Sequence, residues 1–145
     1  LIGTTPTFND DDQVRWRQHA QAVRRGGRAL VARTLEQDWF TPAFLARNPP
    51  ALQRMRAGIA VCPAEGFALA CEALATADLI DLAGEIFART LVLAGERDTL
   101  AYREAADWLA QSIAGAKLAF VPHAAHAPVL EQPGWIAEVL RAFLR

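Results

Sequence analysis

Residues 89–98 read RTLVLAGERD, and this stretch decides the fold. Within it Leu91 to Ala94 form a continuous apolar run, with β-branched Thr90 and Val92 in the strand. A strand that alternates apolar and polar residues shows one face to water, whereas an unbroken apolar run is buried on both faces, as in a parallel sheet covered by helices. Gly95 to Asp98 then make a loop at the carboxyl end of the strand. Downstream, residues 101–113 carry Ala105, Trp108, Leu109 and Ile113 on one side and predict a helix. Residues 117–121 (KLAFV) predict a second strand, and 122–128 (PHAAHAP) a loop. Residues 133–144 predict a closing helix with Ile136, Val139, Leu140 and Phe143 inward. Strand–helix–strand–helix implies parallel strands joined by a helical crossover, an α/β arrangement.

Upstream the pattern changes. Residues 1–9 read as a loop leaving a strand, and residues 10–83 as almost wholly helical. Helices are predicted over about 11–26, with Val14, Trp16, Ala20 and Val23 as the apolar stripe, and over 28–38, with Leu30, Val31, Leu35 and Trp39 inward. Gly26-Gly27 separates them. A short helix near Pro42, helices over about 51–61 and 65–76, and a short turn-like helix over 78–82 follow, punctuated by Asn48-Pro49-Pro50 and Pro63. Asn9 or one of Asp10–Asp12 is placed to cap the first helix. The organisation expected is therefore 1–9 strand-exit loop, 10–83 helical layer and 84–145 sheet-bearing part.

The chain has 145 residues, of which 52% are hydrophobic, 21% charged and 8% aromatic, which excludes a disordered or collagen-like chain. Net charge is −1, so no global basic field exists to hold nucleic acid. The charge is uneven: residues 1–60 carry nine Arg against five Asp or Glu, and residues 61–145 carry six basic against eleven acidic side chains. Cys62 and Cys71 lie outside any zinc-ligand spacing and read as buried thiols. A zinc site is not expected. No run of eighteen apolar residues and no signal-peptide pattern occur, so no membrane span is expected and a cytoplasmic location is. Two strands do not make a stable, doubly covered sheet. The first residue is Leu1 and the only methionine is Met55, so the chain reads as a piece of a larger protein, with the rest of the sheet in the same or a separate chain.

Ligands of open α/β sheets gather at the carboxyl ends of strands. Two loops lie there. One offers Asp98. The other offers His123 and His126, which position alone barely separates. An acid followed by a histidine, each after a parallel strand, is the back half of a Ser–Asp–His arrangement: the carboxylate orients the imidazole, and the imidazole moves the proton. The nucleophile is missing. No Gly-x-Ser-x-Gly is present, and the single serine, Ser112, falls in the helix after Asp98.

These residues carry a resemblance. LVLAGERDTL, with PHAAHAPVLEQPGWIAEVLRAFL after it, resembles the last two strand–loop–helix units of the α/β-hydrolase superfamily, and the whole chain resembles that fold's C-terminal half with an all-helical cap. The resemblance implies Asp98 as triad acid and His126 as triad base, the Ala-His-Ala-Pro context and Glu131-Gln-Pro133 favouring His126 over His123. The Gly3-Thr-Thr-Pro6, VRRGG (23–27), DWFTPAF (38–44) and CPAEGFALACEAL (62–74) segments resemble the cap of 3-oxoadipate enol-lactonases. In that family a serine opens an enol-lactone by two-step acyl transfer during bacterial breakdown of aromatic acids by the β-ketoadipate route, without cofactor or metal. Esterases that release methyl pimelate from its carrier protein share the Ala-His-Ala-Pro context and are the nearest alternative. A non-catalytic fragment, or a split subunit completed by a partner chain, is the other. Thr99-Leu-Ala-Tyr102 departs from the Thr-Pro-Pro-like turn of many relatives.

A cap over the strand ends excludes water and shapes an acyl pocket. Trp16, Trp39, Phe40, Phe44 and Met55 are its apolar candidates, with Trp16, Trp39 and Phe44 foremost. The family's lactone carries a carboxylate, which a cap arginine can pair with in a bidentate fork. Arg15, Arg33 and Arg56 are candidates, and Arg33 is the one carried forward. The implied partners are a small lactone or ester and the N-terminal half of the fold.

Overall fold

In the computed structural model, which describes residues 1–145, strand β1 (Leu91–Gly95) is buried along its whole length. Its side chains alternate between two faces. Val92 and Ala94 pack against Ala106, Leu109 and Ile113, on and just beyond α7 (Leu100–Ser112). Leu91 and Leu93 pack with Val121, Ala124 and Ile136, the last from α9 (Pro133–Leu144). The continuous apolar run is thus explained by helices on both faces.

Strand β2 (Lys117–Val121) pairs parallel to β1, from Leu91 opposite Lys117 to Gly95 opposite Val121. Only Val121 is buried, while Lys117 and Phe120 face solvent, so β2 is the rim of the sheet. On the other side of β1, Ile2 bridges Leu93 in parallel. The Leu93 N–H donates to the Leu1 carbonyl at 2.8 Å, and the Gly3 N–H to the Leu93 carbonyl at 2.9 Å. Residues 1–3 therefore lie alongside β1 through an isolated parallel bridge at Ile2.

The helical layer holds α1 (Asp10–Ala22), α2 (Arg28–Trp39), α3 (Pro42–Arg47), α4 (Pro50–Val61), α5 (Ala64–Thr76) and α6 (Ile80–Ala83). Asn9 caps α1 by accepting from the Asp12 N–H at 2.9 Å, and three aspartates in the first turn favour the positive end of its dipole. The core of the layer joins Trp16, Ala20 and Val23 with Val31 and Leu35 of α2 and with Ala68, Cys71 and Ala75 of α5. Ala20, Ala68 and Ala75 are fully buried, so the chain's many alanines work here as small contacts that let α1 and α5 approach closely. Burial pushes the Cys71 thiol above its ordinary pKa.

Several expectations are corrected. The first helix ends at Ala22, and Val23–Gly27 form a π-type turn into α2. Val14 and Leu30 are exposed, because each stands off the buried stripe of its helix. Cys62 is only half-buried, at the break between α4 and α5. At the surface of this layer Arg24 forks between Glu65 and Glu72. The short α8 (Pro128–Glu131) has no counterpart in the sequence reading, being too brief for periodicity to register. No single helix is long and apolar enough to cross a membrane.

Candidate active site

Asp98 follows β1 in a tight turn, its N–H donating to the Gly95 carbonyl at 3.1 Å. Its side chain is wholly buried. Oδ1 accepts the Thr99 N–H at 2.8 Å, which fixes the carboxylate at the start of α7. Oδ2 stands 3.0 Å from His126 Nδ1. An ionised carboxylate only accepts, so Nδ1 carries the proton and Nε2 is left as the basic nitrogen. The His126 side chain retains 17% exposure. His123 goes elsewhere. It adopts φ 57° in the turn after β2, its N–H donates to Glu96 Oε2 at 3.0 Å, and its ring faces the exposed Arg97.

The loop carrying His126 is held from several sides. Gly95 lies so close beneath it that a Cβ there would stand 2.0 Å from the Ala125 carbonyl oxygen, which only glycine permits. Gly3, at φ 54°, makes the same kind of approach to the His126 carbonyl. Buried Glu131 ties the loop to the cap. Its Oε2 accepts the Ala125 N–H at 2.6 Å, and its Oε1 accepts the Thr41 N–H at 3.0 Å and hydroxyl at 2.6 Å. The Ala127 N–H adds a bond to the Trp39 carbonyl at 3.0 Å.

A cavity of about 420 Å³ opens onto His126. The segment 5–9, α1, α2 and the first turn of α7 wall it. Trp16 and Trp39 both line it, with Phe8 and Leu35. Trp16 Nε1 and His19 Nδ1 are buried without partners, an unusual state for polar atoms. Burial lowers the His19 pKa, with Arg15 adding to it and Asp38 opposing, so the ring is neutral near pH 7. Arg15 lines the cavity and is paired with Asp12 at 2.5 Å.

Phe44 and Arg33 are not in this wall. Phe44 is stacked on Phe40, centroids 5.0 Å apart, and buried against Leu52 in a separate apolar cluster. Arg33 lies on the opposite side of α2. Leu35, Asp38 and Trp39 form the cavity face at helical spacing, and Arg33, two residues before Leu35, points to a groove shared with Arg28 and Arg56. Arg56 is committed there to Glu36. Sequence reasoning also missed Tyr102, His19, Thr5, Thr7, Phe8 and Asn9 as wall residues. Nothing in their spacing marks them, since the wall is assembled from four separate segments.

No model of a protein family matches the chain. Among curated relatives, 3-oxoadipate enol-lactonase 2 of Acinetobacter baylyi is 32% identical over 130 residues, which are 90% of this chain and 48% of that protein. Pimeloyl-(acyl-carrier protein) methyl ester esterase of Nitrosospira multiformis is 26% identical over 97% of this chain and 57% of that protein. The chain thus spans about half the length of the curated relatives it matches. The crystal structure of the enol-lactonase from Burkholderia xenovorans LB400 superposes with a TM-score of 0.90 at 29% identity, over 99% of this chain and 54% of that one. These sequence and structural matches, which take in nearly all of the chain, place it in the α/β-hydrolase superfamily, whose C-terminal half it matches.

Proposed function

We propose that the chain supplies the acid and the base of a Ser–His–Asp triad in a serine-type ester or lactone hydrolase of the 3-oxoadipate enol-lactonase kind. The observation that carries this reading is the 3.0 Å Asp98–His126 pair at the foot of a capped cavity. The serine and its oxyanion donors belong to the half of the fold that the relatives have in addition, in the same or a separate chain. No serine lines the cavity, which supports a chain that acts only with that complement.

The chemistry follows from the pair. His126 Nε2 takes the serine proton as the oxygen attacks the carbonyl, and Asp98 stabilises the imidazolium and keeps its orientation. The imidazolium returns the proton to the departing enolate or alkoxide oxygen, and water then hydrolyses the acyl-enzyme by the same route. Trp16, Trp39 and Leu35 give the acyl portion an apolar wall. The unpartnered Trp16 Nε1–H and neutral His19, beside Arg15, suit a substrate with a second polar end, as an enol-lactone carboxylate has. In this reading the reaction serves aromatic-acid breakdown by the β-ketoadipate route, in the cytoplasm. The methyl ester esterase likeness supports a second substrate, a pimeloyl methyl ester. Joining the chain to the serine-bearing half of the Burkholderia enol-lactonase and comparing kcat/KM for the enol-lactone with that for a pimeloyl methyl ester separates the two. A higher value for the lactone is expected, and a higher value for the methyl ester moves the assignment to the esterase.

A further inference from the structure

Tyr102 has no role in the triad, yet no other aromatic ring stands so close to it. Its ring centroid is 4.0 Å from that of His126, with the planes tilted by 43°. It sits in the first turn of α7, the turn that begins with Thr99, whose N–H holds Asp98 Oδ1. One rigid turn therefore carries both the carboxylate that binds Nδ1 and the ring that lies against the imidazole. Phe8 meets Tyr102 edge-on, with centroids 6.4 Å apart at 83°, and backs the ring from the segment 5–9. The backbone at Gly3 closes on the same imidazole, since a Cβ there would stand 3.7 Å from His126 Cε1.

We infer that Tyr102 is a positioning residue for His126: its ring braces the imidazole so that Nδ1 stays on Asp98 while Nε2 stays presented to the cavity. One hydrogen bond leaves an imidazole free to pivot about the Nδ1–Oδ2 line, and a packed ring removes that freedom. The brace also favours the charged intermediate, because an aromatic face attracts a neighbouring cation and an imidazolium forms in each half of the reaction. The contribution belongs to the ring. Burial first, then the Asp98 charge, pushes the phenol up to about 12, so it stays neutral and does not compete for the proton. This inference rests on His126 being the base held by Asp98.

The test is NMR of the imidazole protons in the 145-residue chain, comparing the native protein with Tyr102→Phe, Tyr102→Leu and Tyr102→Met. A hydrogen-bonded Nδ1–H signal is expected in the native chain and in Tyr102→Phe, which keeps the ring. In Tyr102→Leu and Tyr102→Met that proton should exchange with water roughly three- to tenfold faster, the size of an aromatic pairing. The backbone amide spectrum identifies any variant that loses its fold, and two unrelated replacements guard against one doing so. Unchanged exchange in folded Leu and Met variants overturns the brace and leaves the Asp98–His126 reading intact. Fast exchange in Tyr102→Phe as well overturns the role of the ring. Absence of the signal in the native chain overturns the pair itself, and the brace with it.

Discussion

His19 and Gly95 show how single residues around the site are constrained. Burial holds the His19 imidazole below the ordinary histidine value of 6.5. The unfolded chain therefore binds more protons than the folded chain just below that pH, so this residue's share of the stability is present above 6.5 and lost as pH falls beneath it. Replacing His19 with Gln should shrink the drop in urea midpoint between pH 7.5 and 5.5; an equal drop in both proteins would mean the ring titrates freely. Gly95 has no room for a side chain because two carbonyls of the histidine loop lie on it. Gly95→Ala must push that loop away, at about 1–3 kcal/mol, measurable by denaturant unfolding. That Asp98 meets a histidine of the next loop was legible in the sequence because both residues follow neighbouring parallel strands. The choice of His126 over His123 was legible only from the flanking Ala-His-Ala-Pro context. Arg33 and Phe44 were misplaced because residue type says nothing of which side of a helix faces the cavity, and the cavity's position depends on how the cap sits.

Elements were the most legible level. The unbroken apolar run at 91–94 and the stripes of α7 and α9 follow directly from burial on both faces of β1. What escaped notice is how the cap is fastened to the histidine loop. Glu131 was visible only as motif context, whereas the structure shows it receiving three donors from two layers. Removing the carboxylate strands buried N–H groups of Thr41 and Ala125 and the Thr41 hydroxyl, each costing about 1–3 kcal/mol if nothing replaces the partner. Glu131→Ala should therefore lower stability by about 3 kcal/mol in denaturant unfolding, and Thr41→Val by less, since the Thr41 and Ala125 N–H bonds survive. The two losses should not add in the double variant, because they share one partner. Full additivity would show that the network does not act as a unit.

At the scale of the molecule, the sheet is narrow and one side of it is bare. Residues 1–3 pair only toward β1, and Leu79, Ile80, Leu82 and Phe87 are exposed, Phe87 to 92%. A small apolar groove beside them is lined by Leu1, Pro6, Leu79, Leu82 and Ile86. The proposed complement would add a strand to that edge and cover this surface. A partner that binds only the folded chain raises its stability by mass action. Titrating the serine-bearing half into the chain should therefore raise its Tm with concentration, and a flat Tm would show that the two halves do not associate.

The central claim is that Asp98 and His126 act as the acid and base for a serine supplied by the other half of the fold. Its most direct test is kcat for enol-lactone hydrolysis by the chain joined to the serine-bearing half, with and without His126→Ala. Loss of roughly ten-thousandfold or more is predicted, as for other members of such triads. A joined protein that hydrolyses the lactone equally well without His126 would contradict the account.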